Sequence, residues 1–176
     1  RQQTAQILGF PAPPIGHPDR YPLHVLQAIT SGLGGRWFAE IRSRRGLAYT
    51  VSSMVFQGRA AGAFLVFLAT APDRERDARR VLLAEIERLR REGPDEEEIR
   101  RAVRFLQGSQ LVGLQTGAAV AAALAEAEIS GLGYAEEKTY PGRIGAVTRE
   151  RVNQVIRTCL DPARLRLGIL RGSAPA

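Results

Sequence analysis

An α+β fold, in which helices cover an antiparallel β-sheet, follows from three observations. Residues 47–57 read as a long strand, with Leu47, Tyr49, Val51, Ser53 and Val55 on one face and Ala48, Thr50, Ser52, Met54 and Phe56 on the other, and a glycine-bounded turn joins them to a nearly continuous apolar run over residues 63–69, the pattern of a hairpin with a central strand. Helical periodicity comes in runs rather than between successive strands. A last alternating stretch closes the chain at residues 164–170. The 176 residues, 44% hydrophobic, are enough to bury a core, and no internal repeat or long linker divides the expected single domain over residues 1–176.

The elements follow in order. Gln3 to Phe10 predicts a strand that ends at Pro11-Ala12-Pro13-Pro14, where missing N–H groups stop a ladder. Asp19 predicts a capped helix with Leu23, Leu26, Ile29 and Leu33 on its buried side, and Pro22 is tolerated in the first turn. Gly32-Leu33-Gly34-Gly35 breaks that helix, and Trp37, Phe38 and Ile41 mark a second, short one. The strand over residues 47–57 places Leu47, Tyr49, Val51, Ser53 and Val55 on one face.

Pro72-Asp73 opens a helix with Val81, Leu82, Ile86 and Leu89 inward, and Gly93 closes it. Pro94-Asp95 with Glu96, Glu97 and Glu98 puts carboxylates on the positive end of the next helix, so the triple glutamate is a start signal rather than a catalytic cluster. Gly117 to Ser130 is an alanine-rich helix that suits close helix packing and ends at Gly131. Thr148 caps the last helix through Val152, Val155, Ile156 and Cys159, which stops at Asp161-Pro162.

Several function classes are excluded early. The longest apolar stretch, Ala60 to Ala71, is broken by Gly62 and Thr70 and is short of the ~20 residues that span a membrane. The single cysteine, Cys159, rules out an internal disulfide and a multi-cysteine metal cluster, and its place on an apolar helical face reads as packing. The chain opens with Arg1 and shows no charged segment followed by an apolar run, but a cut piece of a longer precursor would read the same, so the compartment is not legible.

The net charge of +7 is unevenly distributed. Residues 73–104 balance 10 arginines with 10 acids at helical pairing distances, whereas residues 1–62 set 7 arginines against Asp19 and Glu40. Arg36, Arg42, Arg44 and Arg45 crowd together there. They form either a local surface for an anion or a carbonyl, or a solvated helix end. Nucleic-acid binding is disfavoured because no aromatic residues interleave with this stripe apart from Trp37 and Phe38, which have apolar helical spacing.

Zinc hydrolysis needs about three protein ligands and an open position. The chain has two histidines, His17 and His24, seven residues apart and in no HExxH or HxxEH arrangement, so capping or packing suits both better than metal ligation. The same scarcity argues against a Ser-His-Asp or Cys-His enzyme. Gly32 to Gly35 lacks the spacing of a dinucleotide or phosphate loop.

Glu40-Ile41-Arg42-Ser43-Arg44-Arg45-Gly46-Leu47-Ala48-Tyr49, preceded by Gly34-Gly35-Arg36-Trp37-Phe38, closely resembles the C-terminal, non-zinc half of the pitrilysin (insulinase-like) zinc metallopeptidases, the group that includes mitochondrial processing peptidase. Gln6 to Pro14 resembles the family's entry strand, His17 to Gly35 its first helix and glycine turn, Glu92 to Glu98 a helix start, and Ile144 to Val152 a helix cap. Together these cover roughly residues 3–172. The resemblance implies that half-domain fold, with zinc and its HxxEH carried by a partner half, none bound here, and proteolysis only when the two halves close around a peptide.

It implies that Arg42 and Tyr49 bind the substrate near the scissile carbonyl, beside Gly34 and Gly35. A guanidinium and a phenol are donors able to stabilise a developing oxyanion without titrating. Read by themselves, the same residues are a surface charge and a strand aromatic. The short Leu33-Gly34-Gly35 stretch and the absence of an extended glycine-rich loop depart from the processing peptidase, so presequence-type selectivity is not carried over. The expected partners are the zinc-bearing half and a peptide, with no nucleic acid and no membrane, and the isolated fragment could instead pair with itself as a homodimer. The alternative is an inactive scaffold of the same fold.

Overall fold

The computed structural model describes residues 3–32 and 34–172. Its α+β architecture matches the expectation: a four-stranded antiparallel sheet, in the order β2-β3-β1-β4, carries helices on one face. The strands are β1 (Thr4–Ala12), β2 (Thr50–Gln57), β3 (Gly62–Thr70) and β4 (Arg166–Leu170). The helices are α1 (Arg20–Thr30), a π-helical segment (Phe38–Arg44), α2 (Glu75–Glu92), α3 (Glu96–Gly113), α4 (Gly117–Ile129), α5 (Glu136–Gly145) and α6 (Arg149–Cys159). Leu33, expected on the buried side of α1, lies outside the described residues.

The alternation read in the sequence sets the two faces of the sheet. Leu8, Phe10, Val51, Phe64, Val66 and Leu68 point inward and are buried with Leu23, Leu26, Leu82, Ile86, Val155 and Ile156 of the helices. On the other face Ile7 pairs with Phe67 and Met54 with Leu65, and Ile7, Met54 and Phe56 are exposed. The outer face is therefore apolar, and no described residue covers Ile7, Met54 or Phe56 fully.

Four expectations need correction. β1 runs on through Pro11 and Ala12, which pair with Ala63 and Gly62. The Pro11 carbonyl accepts from Cys159 Sγ, so its N–H position faces the side where β4 has already ended opposite Gly9, and no ladder bond is lost. Asp19 precedes α1 but does not cap it with its side chain, because Asp19 Oδ1 accepts from Arg151 Nη2 at 2.6 Å. The alanine-rich α4 does not pack closely. Ala127 is its one buried residue.

The fourth correction is α5, absent from the sequence reading because Pro141 lies inside it. A proline leaves the carbonyl four residues earlier without its helical donor. Here that carbonyl, of Glu137, accepts from Gln110 Nε2 at 2.9 Å, and the Pro141 carbonyl accepts from Gln107 Nε2 at 2.9 Å. Helix α3 thus supplies the donors that local sequence cannot.

The start of α3 is as predicted and has a further role. Asp95 and Glu98 form a reciprocal capping box. Glu98 also receives Arg36 through two bonds, Nε to Oε1 at 2.8 Å and Nη2 to Oε2 at 2.6 Å, with both side chains largely buried. This pair clamps the exit of α1 to α3. Replacing Asp95 with Ala removes only the cap and is expected to cost about 1 kcal/mol. Glu98→Ala also strands a buried guanidinium and should cost about 2–4 kcal/mol. Urea unfolding distinguishes them, and equal losses would mean that the Arg36 pair contributes nothing.

Candidate functional site

The candidate site lies where the arginine-rich stretch turns into β2. Trp37 and Ile41 are fully buried and anchor the π-helical segment to the core, with Trp37 edge-on to Phe64. A π-helix is rare and is often found at functional positions. The chain leaves it through Gly46, whose φ of +61° favours glycine, and the Leu47 N–H reaches back to the Ile41 carbonyl at 3.0 Å.

The four arginines of this stretch are not equivalent. Arg36 is held by Glu98. Arg44 and Arg45 both bind the largely buried Glu40, at 2.9 Å each, and their hydrogen bonds hold its carboxyl below the usual range. Two carboxylates thus meet four guanidinium groups, and half of the positive charge expected to serve an anion or a carbonyl remains uncompensated. Arg42 is exposed, makes no ion pair or side-chain hydrogen bond among the described residues, and stacks its guanidinium 4.9 Å from the centre of the Phe38 ring. Its donors remain free for a ligand.

Tyr49 is 53% exposed, contrary to the alternation that would have turned it toward the core. Its N–H donates to the Ala69 carbonyl at 2.8 Å, while Thr50 is the ladder partner of the same Ala69. The Tyr49 N–H thus bonds one residue out of register, just ahead of the ladder that begins at Thr50. The phase slips by one residue, Ala48 becomes buried and Tyr49 and Thr50 are both exposed. Like that of Arg42, its polar side-chain end has no hydrogen-bond partner among the described residues.

The glycines divide. Gly34 borders a cavity of about 720 Å³ between the α1 exit, the π-helical segment, α2 and α3, where it meets Arg36, Glu40, Arg44 and Glu98. At Gly35 a Cβ would collide with the Ser31 backbone, so glycine is required there by a tight loop. Neither Arg42 nor Tyr49 lines this cavity.

The histidines have structural surroundings. His17 Nδ1 accepts from the Asp19 N–H at 3.0 Å. His24 is mostly buried, with Nδ1 3.0 Å from Tyr140 Oη and Nε2 3.0 Å from Gln57 Oε1. Gln57 in turn donates to the Pro13 carbonyl at 2.9 Å. Around them Glu136 accepts from Arg20 and Tyr21, and Arg143 donates to Tyr21 Oη. This network, which sequence reasoning missed, joins α1, α5 and the end of β2. Both ring nitrogens of His24 are engaged, Asp19 is taken by Arg151, and no three His, Cys, Asp or Glu side chains gather as a metal site among the described residues. These residues do not fit a catalytic zinc. Burial pushes the Cys159 thiol up to about 12, which suits packing rather than reaction.

Comparison with known proteins gives a consistent relationship. Residues 1–106 match the family model described as the peptidase M16 inactive domain. An uncharacterized zinc protease of Mycobacterium tuberculosis is 34% identical over 164 residues, 91% of this chain and 37% of that protein. One of Streptomyces coelicolor is 31% identical over 160 residues, 90% of this chain and 35% of that protein. The chain thus spans little more than a third of the length of these relatives. A peptidase M16 inactive domain from Pseudomonas fluorescens superposes with a TM-score of 0.86 at 21% identity, over 96% of this chain and 40% of that one. A protease from Helicobacter pylori does so with 0.89 at 16%, over 98% and 42%. At these identities the structures share the fold.

The His24 network has a measurable pH signature. Burial, and then the charge of Arg20, lower His24 from 6.5 to about 4. The unfolded chain gains this proton near pH 6.5 and the folded chain only near 4, so its stability contribution is complete above 6.5 and is lost as the pH falls through that window. The full loss is about 3 kcal/mol. Urea unfolding of the wild-type chain between pH 7 and 4.5 should show this decline. In His24→Gln the decline should be much shallower, and equal slopes would show that His24 is not the group responsible.

Proposed function

Since the chain belongs to the peptidase M16 (pitrilysin-like) family and matches its inactive domain, we propose that residues 1–176 form the non-zinc half of a metalloendopeptidase, completing a peptide chamber with a zinc-bearing half carried on the same precursor or on another subunit. In this reading Arg42 and Tyr49 reach the substrate near the scissile bond. The observation that carries it is the freedom of Arg42 in a stretch whose other arginines are each bound by a carboxylate, close in sequence to a tyrosine exposed just ahead of β2. Exposed cationic and phenolic donors at one connection suit a carbonyl that gains negative charge.

The rest of the surface supports the same role. The outer sheet face offers Ile7, Met54 and Phe56 as an apolar wall for side chains of an extended peptide. Gly34, on the cavity rim, is open to a backbone approaching closely. The zinc belongs to the other half, and this chain contributes donors and walls. An inactive assembly subunit of the same fold is the competing reading, and cleavage decides between them.

Alone, the chain should cleave no peptide. Mixed with the zinc-bearing half it should restore turnover. Arg42→Ala should then lower turnover by one to three orders of magnitude, about 2–4 kcal/mol at the upper part of that range for a lost oxyanion donor. Tyr49→Phe, which removes only the hydroxyl, should also lower turnover. A mixture that assembles but never cleaves would favour the scaffold, whereas full turnover by Arg42→Ala would remove that residue from the mechanism.

A further inference from the structure

The 25 basic residues leave one long gap: none lies between Arg104 and Lys138. Within this gap α4 is apolar around its circumference, with Glu126 and Glu128 its only charged residues, yet Ala127 alone is buried. A helix that is apolar all round is stable in water when something covers it. Phe105, Leu111, Val112, Ile129 and Tyr134 are each more than 60% exposed. Depletion of charge combined with exposed aromatic and large aliphatic side chains is the composition of an interface core. Phe105 also lines the 720 Å³ cavity, which offers space for an inserted side chain.

Two facts identify the kind of partner. Relatives are nearly three times as long as the aligned segment, which amounts to 37% of the M. tuberculosis protein, so they carry additional polypeptide able to cover such a surface. Charge gives the second: Glu126 makes no ion pair or side-chain hydrogen bond among the described residues, so a partner without basic side chains would leave it unpaired in the interface. An apolar partner surface with a basic rim fits both.

We propose that the α3–α4 segment from Phe105 to Tyr134 is the surface on which the zinc-bearing half docks, through an apolar area rimmed by basic side chains. This inference rests on the reading of the chain as the non-zinc half, and it assigns that half an assembly surface separate in sequence from Arg42 and Tyr49. The docking energy comes from covering Leu111, Val112 and Ile129, and Glu126 selects the rim.

The test measures association of the full chain with the zinc-bearing half of the same peptidase by analytical ultracentrifugation, alongside peptide cleavage. Leu111→Glu and Ile129→Glu should each weaken association at least tenfold, while Leu111→Met and Ile129→Val retain it. Because both side chains are exposed, urea midpoints should stay close to wild type and exclude misfolding as the cause. Arg42→Ala should associate normally while turning over slowly. Wild-type association that both glutamate variants preserve would overturn the docking surface and leave the proposed half-domain role intact. Failure of the wild-type chain to associate at all would overturn that role itself, and the surface with it. A dimer of the chain alone, abolished by Leu111→Glu, would assign the surface to a second copy and overturn the proposal.

Discussion

The structure depends on a sheet covered on one side. Leu8, Phe10, Val51, Phe64, Val66 and Leu68 supply one inward face, and the helices of the chain bury it. At roughly 25 cal/mol per Å² of apolar surface removed from water, that face provides the main driving force for the fold. The same strands have an outward face that is also apolar, and the described residues leave it uncovered. A sheet with two apolar faces and helices for one is suited to work as half of a larger body.

Within that frame, charge is placed by carboxylates rather than by composition. Glu98 fixes Arg36, and Glu40 gathers Arg44 and Arg45, so two carboxylates orient three of the four arginines and offset half of their charge. Arg42 keeps its donors because no carboxylate reaches it among the described residues. The buried Trp37 and Ile41 anchor the segment that carries it, and a donor on an anchored segment is oriented before a ligand arrives. The hydrogen bond from the Tyr49 N–H to the Ala69 carbonyl does the corresponding service for Tyr49 through the backbone.

Long-range polar bonds hold the less regular parts. Gln107 and Gln110 of α3 replace or supplement the backbone partners disturbed by Pro141, and the His24, Gln57 and Tyr140 group ties α1 and α5 to the sheet. None of these partners is local in sequence. Their separations of 27 to 116 residues explain why α5 and the histidine network were invisible to periodicity, whereas the capping box at Asp95 and Glu98, confined to one helical turn, was plain.

The sequence by itself determined the α+β class, the hairpin, most helix boundaries and the family resemblance, because period, capping and turn chemistry act over a few residues and leave their pattern in the order of the chain. Tertiary structure alone decided that Pro11 stays in a strand, that Asp19 serves Arg151 instead of α1, that α4 stands largely uncovered, and that Arg42 is unpaired and Tyr49 turned outward. Each of those outcomes turns on where a distant strand ends, which carboxylate arrives first, or where a ladder begins. Such partners come together only when the chain folds, and no local pattern encodes them.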